Sequence, residues 1–268
     1  MSTAAIKYPE FILAISTDHV RAMFAEGFVP RSDLQISPLF QSGIAIRQRQ
    51  WLDLVDNATR EADFDTLRAV EGAKPALPPL RKFLKWLKKI AKRFALPFST
   101  KVGDDLYRQL LPYVTIRNGD LILPYLRGKA VGEKRLAGNA SVGWGGHIDA
   151  IDLVWDENSV LDVKATILKN IRRELGEEMR FFRIGEEEGD IPLDEAGELS
   201  FNGFINDTSN EVGRLHLGLS FDFNIKPGYG ATSREAELRV LPWQSKEDLC
   251  SMPEVVIESW SGLYLASR

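Results

Sequence analysis

The sequence contains very little cysteine, since Cys250 is the only one among 268 residues. A single cysteine cannot form an intrachain disulfide, so we expect a reducing, cytoplasmic setting rather than an oxidising one. Long apolar runs are also missing, because no stretch approaches the roughly 20 residues that span a bilayer. The first residues lack the basic start and apolar core of a secretory signal. The sequence therefore predicts a cytoplasmic protein without a membrane span.

An excess of positive charge is missing as well. The chain has 34 Lys and Arg against 38 Asp and Glu, a formal net charge of −4, which argues against nucleic-acid binding driven by overall charge. Its 44% hydrophobic and 27% charged residues are ordinary for a soluble globular protein. Internal repeats and low-complexity tracts are absent from the sequence. Its length suits one large domain, or one domain with an elaboration.

Three segments of the chain differ in character. Residues 1–42 contain an apolar run at 10–16, typical of a buried strand, followed by a helix for which Thr17 or Asp18 is the predicted cap. Residues 43–97 show helical patterns interrupted at Pro78 and Pro79, which we interpret as a helical insertion. Residues 98–268 carry the remaining strand and helix patterns and form the main domain, which we expect the first segment to join.

The second helix of the predicted insertion has a strongly basic face and an apolar face at helical spacing. No acidic residue lies among its basic residues, which are Arg81, Lys82, Lys85, Lys88, Lys89, Lys92 and Arg93. It could bind nucleic-acid or nucleotide phosphates, lie on an anionic membrane surface, or pack as an ordinary amphipathic helix with a solvated face. We favour the ordinary helix, with phosphate binding as the next interpretation.

A glutamate-rich helix end is the most informative motif. It reads Arg173-Glu174-Leu175-Gly176-Glu177-Glu178, and the helix is predicted to end near Arg180. Stepping about 100° per residue places Glu178 close to the apolar stripe and Glu174 at its edge, with Glu177 displaced towards Arg173. The stripe is formed by Val160, Ile167, Leu168, Ile171, Leu175 and Phe182. Carboxylates on a core-facing stripe require compensation, so we predict a divalent metal held by the three glutamates, against the alternative of a solvated helix end.

Two loops and one strand provide candidate partners for these glutamates. A hairpin turn is predicted at residues 118–120, and a basic glycine-bearing loop with Arg127 and Lys129 follows its second strand. The run 141–148 contains three glycines, which allow a ligand to approach the backbone closely. Residues 212–223 alternate as a strand that places His216 on a polar face, towards solvent or a cleft. Asp149 and Asp152 are interpreted as outer groups of a site or as turn residues.

The combined motifs resemble the Nudix superfamily of pyrophosphohydrolases, and most closely its MutT-type phosphoesterases. The matching residues are the glutamate motif at 173–178, Leu111-Pro112-Tyr113-Val114, Ser141-Val142-Gly143-Trp144-Gly145-Gly146-His147-Ile148 and His216-Leu217-Gly218. The resemblance covers most of residues 106–268 and, more weakly, about the first 30. It implies an α/β fold, an α/β/α sandwich around a mixed sheet, here with the helical insertion.

The resemblance also implies an activity and roles for individual residues. The expected reaction is metal-dependent hydrolysis of a phosphoanhydride in a nucleoside diphosphate linked to another group, with Mg²⁺ as the metal and Mn²⁺ as an alternative. The metal ligands would be Glu174, Glu177, Glu178 and the carbonyl of Gly146. Glu177 or Glu178 could instead be the general base, and Arg173 would orient Glu177. The implied substrate-binding residues are His147, His216, Arg127 and Lys129.

The sequence departs from the standard Nudix motif at three positions. Counting back from Arg173, the usual first glycine falls on Ser159 and the usual isolated glutamate on Ala165, while the glycine after the glutamate pair is Arg180. Glu157 or Asp162 could replace the missing acid. A general base from outside the motif could come from Glu187, Glu188 or Glu211.

These departures leave alternatives open. The chain could be a Nudix-like sensor that binds a nucleotide without cleaving it, or an enzyme acting on RNA ends that uses residues 81–93 as an anchor. A nucleotide-type small molecule is the expected ligand in each case. A homodimer is compatible with the sequence.

Overall fold

A computed structural model describes residues 11–34, 36–48, 107–126, 139–186, 188–235, 238–252 and 255–268. The strands are β1 (Phe11–Ser16), β2 (Gly27–Pro30), β3 (Ile44–Gln48), β4 (Tyr107–Asn118), β5 (Leu121–Ile122), β6 (Tyr125–Leu126), β7 (Ala140–Ser141), β8 (Gly143–Trp144), β9 (Met179–Arg183), β10 (Gly197–Asn206), β11 (His216–Ile225), β12 (Tyr229–Ser233) and β13 (Arg239–Val240). The helices are α1 (Thr17–Met23), α2 (Pro38–Gly43), α3 (Val163–Glu178), α4 (Leu193–Ala196), α5 (Glu211–Leu215), α6 (Lys246–Ser251) and α7 (Ser259–Ala266). Within these ranges, every helix is too short or too polar to cross a membrane.

The central sheet is mixed and is organised around β4. Its order is β2-β10-β11-β4-β1-β3, and β5 and β8 also pair with β4. β4 runs parallel to β11, whereas its pairings with β1 and β8 are antiparallel. Most of β4 is buried on both faces, as expected for a strand at the centre of a covered sheet.

One edge of β4 is shared by two short partners, which leaves a gap between them. β1 pairs with β4 up to Gln109, and the pairing with β8 begins at Val114. The chain that leaves β8 crosses this gap and then joins β1, where Leu13 N–H donates to the Ile148 carbonyl over 2.9 Å. The gap therefore positions residues 145–147 over the middle of the sheet.

Helices cover both faces of the sheet. On one face, α3 contributes Ile167, Ile171 and Leu175 to the main hydrophobic core. On the other face, α6 and α7 pack in a second core that contains Leu249, Trp260, Tyr264 and Leu265. This arrangement confirms the predicted α/β fold, with helices on both sides of a mixed sheet.

The glutamate-bearing helix α3 is shorter than predicted. Asp162 caps its start by accepting a hydrogen bond from Ala165 N–H over 2.8 Å, so Val160 lies before the helix and is 49% exposed. The helix ends at Glu178 instead of near Arg180, because Met179 is extended and begins β9. Phe182, assigned to the apolar stripe of the helix, belongs to that strand.

The predicted strand at 212–223 is wrong in its first part, and of the two directions left open for His216, solvent or a cleft, the solvent direction does not hold. Asn210 caps the short helix α5 by accepting a hydrogen bond from Gly213 N–H, and the strand begins only at His216. The face that carries His216 and Asp222 is buried rather than directed towards solvent. Helix α7 covers it, with Tyr264 donating its hydroxyl to Asp222 over 2.7 Å.

Candidate metal centre

The last turn of α3 lies directly against the glycine turn that crosses the gap in the sheet. Gly145 N–H donates to the carboxylate of Glu178 over 3.2 Å. A β-carbon placed on Gly146 would lie 2.6 Å from the carboxyl carbon of Glu174. Two carboxylates and the backbone of the turn are thus in close contact, and a side chain on Gly146 would displace Glu174.

Gly145 is required by conformation and by space. Its φ of +127° lies in a region that L-residues rarely adopt, and a β-carbon there would lie 2.7 Å from the carbonyl oxygen of Pro112. The carbonyl belongs to β4, which cannot shift without disturbing the sheet. The close approach of the turn to β4 therefore depends on glycine.

The three glutamates occupy different environments, in agreement with their positions around the helix. The side chain of Glu174 is 14% exposed, whereas that of Glu177 is 62% exposed. Glu177 turns towards Arg173, which donates to it over 3.2 Å. The structure therefore brings Glu174 and Glu178 to the glycine turn and places Glu177 at the rim.

A buried acid upstream of the helix holds Arg173. The Nε and Nη2 atoms of Arg173 donate to the two carboxylate oxygens of Asp152, each over 2.8 Å. Asp152 is fully buried, and it also accepts hydrogen bonds from Asn170 Nδ2 over 2.9 Å and from Asp149 N–H over 3.0 Å. The sequence suggested Asp152 only as an outer group or a turn residue, and Asn170 was missed.

Arg173 and Asn170 connect this acid to the glycine turn. Asn170 donates to the backbone carbonyl of His147 over 2.7 Å, and Arg173 donates to the same carbonyl over 3.3 Å. Arg173 also contacts Glu174 over 2.7 Å. One cation therefore contacts the buried acid, the turn and the first glutamate.

Asp152 and Glu174, which both contact Arg173, have pKa shifts in opposite directions. Burial raises the pKa of Asp152, but hydrogen bonds from Arg173 and Asn170 outweigh it and hold that pKa below its ordinary value. Burial also raises the pKa of Glu174, and Arg173 offsets this only in part, so that pKa lies above its ordinary value. The hydrogen bonds to Asp152 raise the pKa of Arg173, which stays charged. Glu174 is thus the acid whose charge is less fully compensated.

Two histidines meet beside the turn. The Nε2 atoms of His147 and His216 lie 3.3 Å apart, a separation that allows one ring to donate to the other. His216 is buried, with its ring centroid 6.3 Å from that of Trp260. The structure therefore brings together two residues predicted to bind substrate from separate motifs.

Gln109 lies next to His216 and was not identified from the sequence. The two residues are partners in the parallel pairing of β4 and β11. Among the described residues, no hydrogen-bond donor reaches the buried Oε1 of Gln109. The sequence alone does not reveal that β4 pairs with β11, so it could not identify Gln109 as a neighbour of His216.

A pocket opens beside the turn, between β4 and the start of α7. Its lining includes Leu111, Tyr113, Gly145, Glu258 and Trp260. The Tyr113 hydroxyl donates to the buried carboxylate of Glu258 over 3.3 Å. The pocket therefore combines aromatic surface with polar groups on the α7 side of the sheet, and it reaches the glycine turn at Gly145.

The donor set at the turn suits a hard divalent cation. Across the described parts of the chain, no three His, Cys, Asp or Glu side chains form a group that could hold a metal by themselves. Mg²⁺ commonly uses one or two protein carboxylates and completes its shell with water and substrate phosphates. Glu174 and Glu178 therefore supply two carboxylates of the kind that such an ion uses.

Two further residues were candidates for the missing acid. Glu157 is exposed, and Asp162 caps α3. Ser159 has a φ of +60°, so it adopts the left-handed conformation that a glycine would favour at this position.

Several predicted residues cannot be placed at the site. Glu188 is exposed on the surface. Arg127, Lys129, Glu187 and the basic helix at 81–93 lie outside the described residues, as does the side chain of Glu211.

Comparisons with known proteins bear on the family and the fold of the chain. No family model matches the chain. Protein YmaB of Bacillus subtilis (strain 168) is 32% identical over 160 residues, which cover 59% of this chain and 69% of that protein. The crystal structure of Tm1382, a proposed Nudix hydrolase, superposes with a TM-score of 0.57 at 21% identity, covering 96% of this chain and 97% of that one. A Nudix-family hydrolase from Clostridium perfringens gives a TM-score of only 0.32, too low to support a conclusion.

Proposed function

The chain belongs to the family of Protein YmaB and has the Nudix fold, and on that premise we propose that it hydrolyses a phosphoanhydride bond with the help of a divalent metal ion. The proposed substrate is a nucleoside diphosphate linked to another group, and the proposed location is the cytoplasm. The observation that supports the proposal most strongly is the contact of the Gly145–Gly146 turn with Glu174 and Glu178.

The metal site would be built from the last turn of α3 and the glycine turn. Glu174, Glu178 and the carbonyl of Gly146 would hold Mg²⁺, or Mn²⁺ in its place, with Glu177 available from the rim. When bound, the ion neutralises phosphate charge and lowers the pKa of a coordinated water. Of the carboxylates, Glu177 or Glu178 would act as the general base, whichever is not occupied by the metal.

The surrounding residues would bind and orient the substrate. Arg173 holds Glu174 and Glu177 through ion pairs and so fixes the directions of their carboxylates. His147 and His216 would contact a phosphate group, since their imidazole nitrogens face each other beside the turn. Arg127 and Lys129 remain predicted phosphate contacts from the preceding loop. The pocket beside Gly145 offers space for the part of the substrate next to the phosphates.

Screening a nucleotide panel with Mg²⁺, and identifying both products of each reaction, tests the proposal. We expect a nucleoside monophosphate and a second phosphate-bearing product. Glu177→Gln and Glu178→Gln should each lower the rate by orders of magnitude while leaving the fold intact. Unchanged hydrolysis in both variants would contradict the assignment.

A nucleotide-binding sensor is the second candidate, motivated by Ala165 at the position of the usual isolated glutamate. A nucleotide that binds tightly and survives prolonged incubation with Mg²⁺ and Mn²⁺ would favour the sensor over the hydrolase. Action on RNA ends predicts steeply salt-dependent RNA binding that is lost when Lys85, Lys88 and Lys89 are reversed in charge.

A further inference from the structure

Asp152 is placed where it controls the geometry of Arg173. Its two oxygens accept hydrogen bonds from one edge of the planar guanidinium, from Nε and from Nη2, each over 2.8 Å. A two-point contact of this kind fixes the plane as well as the position of the group. The remaining Nη1 then points to Glu177.

Without Asp152, the charge balance around Arg173 would change. Within the described residues, Arg173 would then have Glu174 and Glu177 as its acidic partners, at 2.7 and 3.2 Å. A cation that binds those two carboxylates more tightly competes with a metal for the same oxygen atoms. Asp152 therefore both restrains Arg173 and neutralises part of its charge.

Asp152 also acts on the glycine turn through a neutral partner. It accepts a hydrogen bond from Asn170 Nδ2, and the same amide nitrogen donates to the His147 carbonyl over 2.7 Å. The peptide that contains this carbonyl lies one residue after Gly146. The position of the glycine turn relative to Glu174 thus depends on Asn170 and Arg173, which both donate hydrogen bonds to Asp152.

We propose that Asp152, in the loop before α3, is a positioning residue for the metal centre. It does not bind the metal; it holds Arg173 and Asn170, and these hold Glu174 and the glycine turn. This inference rests on the metal site of the proposed function. It does not depend on which substrate is hydrolysed.

The affinity for Mn²⁺ alone tests the proposal, measured by calorimetric titration of the full chain without substrate. Asp152→Asn keeps the shape of the side chain but removes its charge. We expect Mn²⁺ binding to weaken about 10-fold or more, as is usual when a residue that supports a metal ligand is changed. The matched control is Asp222→Asn, another buried aspartate bonded by an arginine, at 3.0 Å. It should leave the affinity within about twofold.

The thermal unfolding of each variant separates positioning from general support of the fold. A purely structural Asp152 would lower the melting temperature of Asp152→Asn and leave its Mn²⁺ affinity equal to that of the parent, which overturns the proposal. If Asp152→Asn does not fold, Asn170→Ala is measured instead, because it removes the amide that links Asp152 to the His147 carbonyl of the turn. Several-fold weaker Mn²⁺ binding supports the proposal, and parental affinity contradicts it.

Failure of this inference is distinct from failure of the proposed function. A parent protein that does not bind Mn²⁺ contradicts the metal site itself. A parent that binds Mn²⁺, together with an Asp152→Asn variant that binds it equally well, contradicts only the role of Asp152. Hydrolysis does not enter either measurement.

Discussion

Asp152 and Asp222 are both buried aspartates paired with an arginine, but their partners lead to different parts of the molecule. Asp152 accepts a two-point contact from Arg173 and two further hydrogen bonds. Asp222 accepts one hydrogen bond from Arg268 and one from the Tyr264 hydroxyl. The partners of Asp152 also contact the glycine turn and Glu174. Those of Asp222 are Tyr264 in α7 and Arg268, which follows that helix.

If the proposed metal centre is correct, the same pair of side chains, an aspartate and an arginine, serves a site in one place and the fold in another. Burial and the nearby Asp222 raise the pKa of Tyr264 to about 12, so its hydroxyl remains a donor that attaches α7 to the sheet. Arg173, in contrast, is shared among Asp152, Glu174 and Glu177. Changes at Asp222 should therefore affect stability, and changes around Asp152 should also affect the metal centre.

The largest expected effect is on hydrolysis. Glu178→Gln should lower Mg²⁺-dependent turnover at least about 100-fold, equivalent to roughly 2.7 kcal/mol, because it removes a charged metal ligand. Asp222→Asn, measured in parallel by product formation, should retain turnover within about twofold of the parent once both are fully folded. Equal losses in the two variants would remove the functional distinction between the two regions.

The pH dependence of stability gives the next effect. The folded-state pKa of Asp152 lies below its ordinary value, so its ion pair stabilises the fold above the unfolded pKa of about 3.9, and this contribution is lost as pH falls through the folded pKa. The free energy of unfolding of the parent should exceed that of Asp152→Asn by about 1–3 kcal/mol at pH 7. Urea titrations should show this gap shrinking below about pH 4. A gap that stays constant down to pH 2 would show that the charge of Asp152 does not contribute.

Substitutions at Gly146 in the glycine turn and at Gly176 in α3 should have different effects on turnover and on stability. Gly146→Ala should displace the Glu174 carboxylate and lower turnover about 10-fold, with a higher Mg²⁺ requirement. Gly176→Ala, in α3 with no atom within 4 Å of the added carbon, should stabilise the protein by about 0.5–1 kcal/mol without changing turnover. Steady-state rates over a range of Mg²⁺ concentrations and thermal unfolding check both. The reverse outcome would mean that the turn does not set the position of Glu174.

The smallest expected effect is at Ser159. Ser159→Gly relieves a left-handed backbone conformation at φ +60° but adds freedom to the unfolded chain, so the net stabilisation should be about 0.5 kcal/mol. Chemical denaturation measures it, with turnover as a control that should not change. A destabilised variant would show that the Ser159 side chain supports the loop.

Local spacing was enough to predict much of the fold and part of the site. The positions of Glu174, Glu177 and Glu178 around α3 follow from the helical repeat, and the hairpin at residues 118–120 follows from a turn signal, with Gly119 at φ +61°. The family resemblance gave the sandwich architecture. These features depend on residues that are close together in sequence, or on motifs long enough to be specific.

The contacts that were missed join distant parts of the chain. Asp152 and Arg173 are 21 residues apart, and a loop whose path the spacing does not determine brings them together. Gln109 meets His216 through a parallel pairing, which has no local turn to fix its register. The sequence pattern predicts a strand where α5 lies, because five residues are too few to distinguish the two-residue repeat of a strand from the 3.6-residue repeat of a helix.

Anomalous diffraction from crystals grown with Mn²⁺ tests the central claim most directly. We predict one strong anomalous peak between the carboxylates of Glu174 and Glu178 and the carbonyl oxygen of Gly146, and its absence from crystals of Glu178→Gln. A peak bound elsewhere, or no peak in the parent protein at Mn²⁺ concentrations that saturate calorimetric binding, would contradict the assignment of the metal centre.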